Sequence, residues 1–493
     1  MGPLYEPHLL ENEKQVKSLS QLINQRGELY ALTMWFLIVL IYAITAMVLL
    51  RTIVIPNIYP SSIDGLIPGD STFYDSLALE KASEIKLKGF VAFELYPSGQ
   101  GVAGLASLLY IFFKSSYIVV FVNGLLHALS AVIMALIARH WFPLSVSIIA
   151  TMPLAVSPYM ILWFSQLNKE SNSLLGFLLI VFGMLELVSK GKTLLNFITN
   201  AFFIVCGMLL IWTVRPYINL VLMPILTFIF LITLVTYLRN KSTISDSLRF
   251  ITTAVIILFC LVTLSTGGSS SITIDRFTHE FTSETFSDTQ LTTTPSAAES
   301  ETNTQPATTP SIARKCLAKL DSKYWINDPL LPIYINAILK SMMGQRCQTF
   351  GLLESQTNPT TLSSIIDTDV LPGGSRETLR YFPRAALYGI FSPWPNKFFY
   401  TLNQRSSFFY TVTSIEAIIM YLGIIGMIIL LVRRKVWLLT VPISLSFTLM
   451  VAAGMSNPFI GTLYRYRYPC WMIIICLGTA AWIALRQDWR FNR

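Results

Sequence analysis

Two carboxylates beside apolar stretches are well placed in this sequence for acid–base chemistry. Asp70 follows a Pro-Gly turn at the start of a helical stretch, and Glu170 stands beside Lys169 in a short polar turn between apolar runs. A carboxylate near a hydroxyl can act as a general base, and one at membrane depth is usually functional. Two structural interpretations stay open, because Asp is a favoured helix N-cap and the Lys169-Glu170 pair also suits an ordinary polar turn.

Four arginines stand at similar positions, where apolar stretches begin or end. Arg215 opens an Arg-Pro-Tyr turn that ends at Tyr217, Arg465 and Arg467 alternate with tyrosines, and Arg384 precedes a Pro-rich aromatic turn. A guanidinium group binds phosphate through two parallel hydrogen bonds and can stabilise a phosphate leaving group. The structural alternative is an arginine that snorkels to lipid headgroups. Together with the two acids, these arginines could support attack on a lipid-linked phosphate ester.

The elements that must carry these side chains are membrane-spanning helices. Of the 493 residues, 53% are hydrophobic and 13% are charged, whereas a soluble domain carries roughly 25% charged residues. A span needs about 20 apolar residues, and suitable runs occur at 30–50, 116–138, 143–163, 173–189, 194–213, 217–238, 250–266, 408–432, 436–455 and 469–485. The sequence therefore predicts an all-α polytopic membrane protein with about ten transmembrane helices. A shorter run at 101–113 predicts a helix in the membrane interface.

Basic residues give the predicted helices an orientation. With the N-terminus in the cytoplasm, the short connections that contain Arg139, Lys190, Arg239 and Arg433 all fall on the cytoplasmic side, where Lys and Arg are enriched. Two large segments, 51–115 and 267–407, then lie outside as outer-side loops, and the C-terminus returns to the cytoplasm. The same rule explains the net charge of +9, so no nucleic-acid partner is expected.

Five parts make up the predicted organisation. They are a cytoplasmic or interfacial tail (1–28), a transmembrane module (29–266) with its outer loop (51–115), a flexible Ser/Thr-rich loop (267–310), an outer-side helical region (311–407), and C-terminal transmembrane helices with a cytoplasmic tail (408–493). The Ser/Thr-rich loop is predicted to be flexible because it has too little apolar surface to fold alone.

Two residue pairs in the second outer segment could carry further chemistry. Cys316 and Cys347 are the two of the six cysteines that lie outside the predicted spans, and in an oxidising compartment they could form a disulfide. Asp367 and Asp369 form a DxD triplet that could bind a divalent cation, although an isolated triplet in a loop is usually a solvated turn. No cofactor and no metal ligand is predicted, and a divalent cation stays an open alternative.

The first 240 residues resemble the N-terminal module of the GT-C superfamily of polytopic glycosyltransferases, which includes protein O-mannosyltransferases and the lipid A aminoarabinose transferase. In that module, one span precedes a large outer loop that opens with an acid, Tyr and Ala in a short helix, here Asp70, Tyr74 and Ala78. A Pro turn and an interfacial helix follow, and a second acid, here Glu170, stands in a later outer turn. The Arg-Pro-Tyr and Tyr-Arg-Tyr-Arg-Tyr-Pro stretches are similar to phosphate-contacting positions of such enzymes.

The resemblance implies transfer of a sugar from a polyprenyl-phosphate donor to an acceptor hydroxyl on the outer side of the membrane. The lack of a retention or lipidation signal in the sequence favours a bacterial inner membrane, with the site facing the periplasm. It implies that Asp70 activates the acceptor and that Glu170 orients the acceptor or the sugar. The substrate-binding residues that it implies are Tyr74, Lys169, Arg215, Tyr217, Arg384, Arg465 and Arg467, with the arginines on the phosphate. The expected partners are this donor, a glycan, lipid or protein acceptor, and membrane lipids.

Other classes of protein share parts of the pattern. An O-antigen polymerase or ligase also combines many spans with a large outer loop and essential arginines, but it lacks a large acid-bearing loop after the first span. A transporter or flippase would carry charges within its helices or break them at the midplane, whereas the predicted spans are nearly free of charge, with Glu416 as an exception. A membrane scaffold would leave the acids and arginines without a role. Convergence of Asp70, Glu170 and Arg215 around one cavity at the outer interface would favour the glycosyltransferase.

Overall fold

The computed structural model describes residues 7–60, 62–113, 115–190, 194–239, 312–321, 324–355, 365–395, 404–433 and 437–486. Within these ranges the chain is helical, and extended pairing is limited to two isolated bridges, Ile326 with Gly374 and Ile365 with Phe459. The predicted span 250–266 and the predicted flexible loop 267–310 lie outside the described residues. An all-α class is therefore observed for the part of the chain that the structure describes.

The helices of the N-terminal half are α1 (Pro7–Leu49), α2 (Ile55–Ile58), α3 (Asp70–Lys88), α4 (Gly101–Phe112), α5 (Ile118–Ala138), α6 (Leu144–Ala150), α7 (Met152–Val156), α8 (Pro158–Phe164), α9 (Glu170–Lys190), α10 (Leu194–Val214) and α11 (Pro216–Arg239). Those that follow are α12 (Ile312–Leu320), α13 (Ile333–Ser355), α14 (Ser375–Phe391), α15 (Gln404–Arg433), α16 (Thr440–Ser456) and α17 (Ile460–Arg486). A π-helical turn at Leu50–Val54 joins α1 to α2.

Long apolar helices make this a helical membrane protein. Five helices within the described ranges are long and apolar enough to cross a bilayer, namely Arg26–Ile58, Ile118–Ala138, Glu170–Ser189, Thr411–Val432 and Ile460–Arg486. The bent pair Leu144–Val156 and Pro158–Phe164 would make a sixth. Other predicted spans correspond to shorter apolar helices, such as Ile198–Val214 and Thr440–Ser456. The number of ten spans therefore stays a prediction.

The predicted span 143–163 is broken in the structure, with a bend of 59° between its two parts. Pro158 has no backbone N–H and disfavours the helical conformation of the residue before it. Ser157 accordingly has φ −53° and ψ 117°, and its Oγ accepts a hydrogen bond from the Met160 N–H at 3.2 Å, which caps α8. The break brings polar groups into the interior of the bundle.

The last helix begins earlier than the predicted span 469–485. Helix α17 begins at Ile460 and contains Pro469. A proline removes one backbone hydrogen bond, but it need not end a membrane helix when neighbouring groups replace that bond. The Tyr-Arg stretch is thus helical instead of preceding the span. Residues two apart on a helix point about 200° apart, so Arg465 and Arg467 face different sides.

A single apolar core joins the two halves of the chain. Helices α1, α5, α9 and α10 pack next to one another, and α17 contacts α5, α6, α9, α15 and α16. Small residues permit the closest approaches: a Cβ added at Gly207 would lie 2.4 Å from the Gly176 carbonyl oxygen. Since α17 packs on elements of the first half, the core combines residues from both halves of the described chain.

Two helical layers cover the end of the bundle at which α9 begins, α10 ends and α17 begins. Helices α3 and α4 form one layer, whose apolar side chains Tyr74 and Val102 pack with Leu167 and Val214 of the bundle. Helices α13 and α14 form the other, which packs on the C-terminal end of α16. We call this end of the bundle the covered end.

A disulfide joins α12 to α13 in the second layer. Cys316 and Cys347 are bonded, and their Cα atoms lie 5.4 Å apart, within the usual range for a disulfide. This confirms the predicted pairing. The bond closes a loop between residues separated by 31 positions in the chain, so it restricts the unfolded state of this layer.

Candidate functional site

Asp70, Glu170, Arg215 and Arg465 meet at the covered end, and we call them the acid–arginine cluster. Glu170 Oε1 accepts hydrogen bonds from Arg215 Nη2 at 2.7 Å and from Arg465 Nε at 2.6 Å. Arg465 Nη1 also donates to Asp70 Oδ2 at 3.2 Å. Asp70 and Arg465 are 395 positions apart in the sequence, so the fold brings together the residues that the sequence singles out.

The acid–arginine cluster runs from the interior of the bundle to its surface. The side chains of Glu170 and Arg215 are 1% and 4% exposed, whereas those of Arg465 and Asp70 are 16% and 57% exposed. Charge-assisted hydrogen bonds are strong in such partly dry surroundings. A ligand from the membrane surface would meet Asp70 and Arg465 first and Glu170 and Arg215 behind them.

Asp70 is the first residue of α3, and the structural alternative in which it is the N-cap is wrong. The cap is Gly69, whose φ of 117° suits glycine. Thr72 Oγ1 completes the helix start by donating to the Gly69 carbonyl at 2.9 Å and accepting from its N–H at 3.2 Å. The Asp70 carboxylate is therefore left for Arg465, and its negative charge is favoured by the helix N-terminus.

The turn that carries Lys169 and Glu170 is anchored in the bundle and is not a solvated loop. Gln166 accepts a hydrogen bond from the Ile67 N–H at 2.8 Å and donates to the Gly65 carbonyl at 3.2 Å. Asn123 on α5 donates to the Phe164 carbonyl at 2.8 Å. These bonds tie the turn to the loop after α1 and to α5, and they fix the start of α9, where Glu170 is the first residue.

Aromatic rings support both arginines of the acid–arginine cluster. The guanidinium carbon of Arg215 lies 4.4 Å from the centre of the Tyr466 ring, and that of Arg465 lies 4.4 Å from the Trp163 ring. Tyr217 packs on Tyr466, with 6.0 Å between ring centres. The alternative in which Arg215 snorkels to headgroups is wrong, because its side chain is buried between these groups and Glu170.

Lys169 and Tyr74 lie beside the cluster on the side of the α3–α4 layer. Lys169 Nζ donates to Gln100 Oε1 at 2.7 Å and lies 5.2 Å from the centre of the Tyr74 ring. Burial, followed by the charge of Arg215, lowers the pKa of Lys169 to about 8. Burial, followed by the charge of Asp70, raises the pKa of Tyr74. Tyr74 is therefore neutral at physiological pH, whereas the pKa of Lys169 lies close to physiological pH.

Several polar atoms at this place have no hydrogen-bond partner among the residues that the structure describes. They are Glu170 Oε2, Arg215 Nε, and Oδ1 and Nδ2 of Asn168, and all of them are buried. Buried polar groups in folded proteins are nearly always hydrogen-bonded, and leaving one unsatisfied costs about 1–3 kcal/mol. The unpartnered acceptor of Glu170 and donor of Arg215 thus suit a ligand that offers both a hydroxyl and an anionic oxygen.

Arg384 is predicted to bind phosphate with the others, but the structure places it in a different group. It lies on α14, pairs with the buried Asp367, and donates from Nη1 to Asp369 Oδ2 at 3.1 Å. The side-chain bond to Arg384 lowers the pKa of the Asp369 carboxyl. The DxD triplet therefore surrounds a guanidinium group instead of an open space between its carboxylates.

Arg467 also lies apart from the acid–arginine cluster. Its Nη1 donates to the carbonyls of Tyr388 and Gly389 at 3.1 Å each, and its guanidinium carbon lies 4.0 Å from the Trp471 ring centre. The helical geometry of α17 explains this, since Arg467 points away from the side that bears Arg465. Arg467 thus joins α17 to the C-terminal end of α14.

Three residues that contact the site were not predicted as site residues from the sequence. Gln100 precedes an apolar helix, and Trp163 and Tyr466 stand in aromatic stretches that suit a membrane interface. Their roles follow from tertiary packing: Gln100 binds Lys169, and the two rings lie against the arginines. Only Tyr466, between two arginines that the sequence singles out, could have been suspected.

Three cationic side chains and two anionic ones meet here when Lys169 is protonated, so one positive charge is in excess. Such an excess favours an anionic ligand.

Comparisons of the chain with protein-family models, with curated proteins and with solved structures find no match. What the protein does must therefore be inferred from its own residues.

Proposed function

We propose that this protein is a membrane glycosyltransferase that transfers a sugar from a polyprenyl-phosphate donor to an acceptor hydroxyl. The observation that carries the proposal is the convergence of two carboxylates and two arginines, with Glu170 Oε2 and Arg215 Nε buried and lacking a hydrogen-bond partner among the described residues. Acids and arginines from four distant parts of the chain meet where the lipid and aqueous phases would meet. This is the arrangement that attack on a lipid-linked phosphate ester needs.

In the proposed reaction, the acceptor oxygen forms a bond to the anomeric carbon of the sugar. The bond between that carbon and the phosphate oxygen breaks, and polyprenyl phosphate leaves with the bonding electron pair. Asp70, the exposed acid, takes the proton of the acceptor hydroxyl as general base. Arg465 and Arg215 stabilise the charge that develops on the leaving phosphate.

The other side chains of the site would orient the substrates. Glu170 Oε2 can accept a hydrogen bond from a sugar or acceptor hydroxyl, while Oε1 stays bound to the two arginines. Lys169 adds a third cation beside the phosphate, and the neutral Tyr74 hydroxyl can donate a hydrogen bond. We assign Arg384 and Arg467 to structural roles, because their guanidinium groups bind partners outside the cluster.

We further propose that the covered end faces the outside of a bacterial inner membrane. The disulfide between Cys316 and Cys347 lies in a layer at this end, and disulfides persist in oxidising compartments. At the other end of α1 and α5, Arg139 pairs with Glu28, and basic loops favour the cytoplasmic side. A GT-C-like module with two large outer-side segments and about ten spans is part of this proposal.

Binding of the lipid carrier is the first test. We would compare undecaprenyl phosphate with undecaprenol, which lacks the phosphate, on the purified full-length protein in nanodiscs. We expect the phosphate to improve affinity by at least ~10-fold, as a charge-assisted hydrogen bond implies, and Arg465→Ala to abolish this preference. Arg139→Gln, at the opposite end of the bundle, is the matched control and should retain it. Equal affinity of the parent for the two lipids would contradict the proposal.

Transfer itself is the second test. Membranes that contain the protein would receive polyprenyl phosphates that carry radiolabelled sugars, and loss of label from the lipid to an acceptor would be followed. Transfer of single sugars supports the proposal. Transfer of a whole oligosaccharide would favour the polymerase or ligase, and movement of the intact lipid across the bilayer would favour the transporter.

A further inference from the structure

A buried carboxylate of the membrane region, Glu416 on α15, is not used by the proposed reaction. Its Oε1 accepts hydrogen bonds from Ser157 Oγ and from the Tyr159 N–H at 3.3 Å, and its Oε2 accepts one from the Tyr464 hydroxyl. The Tyr468 hydroxyl in turn donates to Ser157 Oγ. A charged side chain at membrane depth is costly and usually has a function, so this position requires an explanation.

Helix packing does not supply that explanation. Helices α15 and α17 already approach closely through glycines, since a Cβ at Gly426 would lie 2.5 Å from the Gly478 carbonyl oxygen. An apolar side chain at position 416 would avoid the burial of a carboxylate and would often be at least as stabilising. Glu416 is therefore unnecessary for holding the two helices together.

The partners of Glu416 are the elements that hold Arg465. Tyr464 immediately precedes Arg465 on α17, so its hydroxyl bond to Glu416 fixes the rotation of α17 at this point. Tyr159 is one turn before Trp163 on α8, and the Trp163 ring lies 4.4 Å from the Arg465 guanidinium carbon. Two ring contacts continue the connection, with 4.4 Å between the centres of Tyr159 and Tyr464 and 5.9 Å between those of Tyr159 and Trp163.

We propose that Glu416 is a positioning residue that holds Arg465 against Glu170 and Asp70 by binding the break before α8 and the first turns of α17. The proposal rests on the proposed function insofar as Arg465 binds the phosphate of the substrate. Glu416 itself touches no substrate and acts through Tyr464 and through Tyr159 with Trp163. This role explains both why a carboxyl group lies within the membrane region and why the span 143–163 is broken before α8.

The test compares two mild variants with a matched control. Tyr464→Phe keeps the ring and removes one hydroxyl bound to the carboxyl group, and Glu416→Gln keeps the size and replaces the carboxyl group by an amide. Trp482→Phe is the control, because it removes another hydrogen bond between α17 and α15, from Trp482 Nε1 to the Leu422 carbonyl at 2.9 Å, far along α17 from Arg465. All three would be purified as full chains in nanodiscs.

We expect Tyr464→Phe and Glu416→Gln to weaken binding of undecaprenyl phosphate by about 2–30-fold, the range of couplings through packed side chains, and to leave undecaprenol binding unchanged. Trp482→Phe should change neither. In an Arg465→Lys background the two variants should have no further effect, because the group that they position has already been altered. Weakening that adds in full to that of Arg465→Lys, or unchanged affinity, would overturn the proposal.

A second measurement keeps the inference separate from the proposed function. Thermal midpoints of Tyr464→Phe, Arg465→Lys and the double variant form a cycle that involves no ligand. The control cycle combines Trp482→Phe with Arg465→Lys. Shifts of the thermal midpoint that are non-additive for Tyr464→Phe but additive for Trp482→Phe support the positioning role, even if the parent does not distinguish undecaprenyl phosphate from undecaprenol. Additive midpoints in both cycles would overturn it. The lipid comparison in the parent alone decides the proposed function.

Discussion

Asp70 is attached to the rest of the acid–arginine cluster by a single ion pair, with Arg465, and its side chain is more than half exposed. The Asp70→Asn variant keeps its size and an acceptor for Arg465 but takes up no proton at neutral pH. We expect sugar transfer to fall roughly 10²–10⁴-fold, as for loss of a general base. Stability should change by less than ~1 kcal/mol, because the pair is exposed and Gly69 caps α3.

Turnover and thermal unfolding would be measured on the same preparation of Asp70→Asn. Glu80→Gln is the control, since Glu80 is an exposed acid on the same helix and should retain full activity. Full transfer by Asp70→Asn would remove this residue from the mechanism.

Arg215 is buried together with Glu170, so its truncation should lower stability in addition to its effect on the proposed reaction. Arg215→Ala leaves the Glu170 carboxylate with Arg465 alone, and breaking a buried ion pair typically costs about 3–5 kcal/mol. The exposed pair of Arg139 with Glu28 offers a comparison, where Arg139→Gln should cost no more than ~1 kcal/mol. Thermal unfolding in detergent would measure both, and similar losses for the two variants would contradict the burial of Arg215.

Lys169 makes the stability of the folded protein depend on pH above neutrality. Its pKa is about 8 in the folded protein, below the 10.5 of an unperturbed lysine, so between these pH values the unfolded chain binds more protons. Stability should therefore rise as pH increases, on the order of 2 kcal/mol from pH 7.5 to 9.5. Lys169→Gln should flatten the profile in thermal unfolding, and an equally steep rise in this variant would assign it to other groups.

Residue type and position were enough to find the four members of the acid–arginine cluster but not to separate them from Arg384 and Arg467. Asp70, Glu170, Arg215 and Arg465 are charged residues at helix ends of an apolar chain, which the sequence shows directly. Whether a guanidinium group meets a carboxylate of the cluster depends on which side of its helix it occupies. The sequence left the first turns of α17 unassigned, so the opposite directions of Arg465 and Arg467 could not be predicted.

Among the elements, five of the ten predicted runs correspond to described helices long and apolar enough to cross a bilayer, and prolines account for two of the departures. Pro158 and Pro469 both stand in or beside apolar stretches, yet one begins a new helix and the other lies within α17. The difference is tertiary, because Ser157 caps α8 and its hydroxyl also reaches Glu416. Because Glu416 is 259 positions away from Ser157, the local sequence pattern around Pro158 could not predict this contact.

The packing of α12 on α13 in the second layer should depend on the disulfide between these helices. Closure of a loop of this length lowers the entropy of the unfolded chain by an amount worth about 3–4 kcal/mol. We expect Cys316→Ser with Cys347→Ser to lower the midpoint of thermal unfolding and to increase proteolysis of this layer. In the parent protein, maleimide should label these two thiols only after reduction. Labelling of both without reductant would show that the bond is absent.

At the scale of the whole molecule, the site requires both ends of the sequence. Helix α17 brings Arg465 to acids that lie in the first third of the chain, and its packing on α5, α6 and α9 makes this contact part of the core. Contacts between distant parts of a chain form slowly because loop closure costs entropy. Removal of the last helix should therefore abolish the site as well as destabilise the bundle.

The orientation of the molecule decides whether the proposed donor can reach the site. Val91 lies in the turn after α3 and is 98% exposed, and Gly27 lies at the opposite end with open space around its Cβ position. We expect Val91→Cys to react with a membrane-impermeant maleimide in intact cells, and Gly27→Cys to react only after permeabilisation. The background is the Cys206→Ser variant, since Cys206 is half-buried, whereas the other described free thiols, Cys470 and Cys476, are buried. The reverse pattern would place the acid–arginine cluster in the cytoplasm, where a donor exposed to the periplasm could not bind and where the disulfide between Cys316 and Cys347 would be reduced.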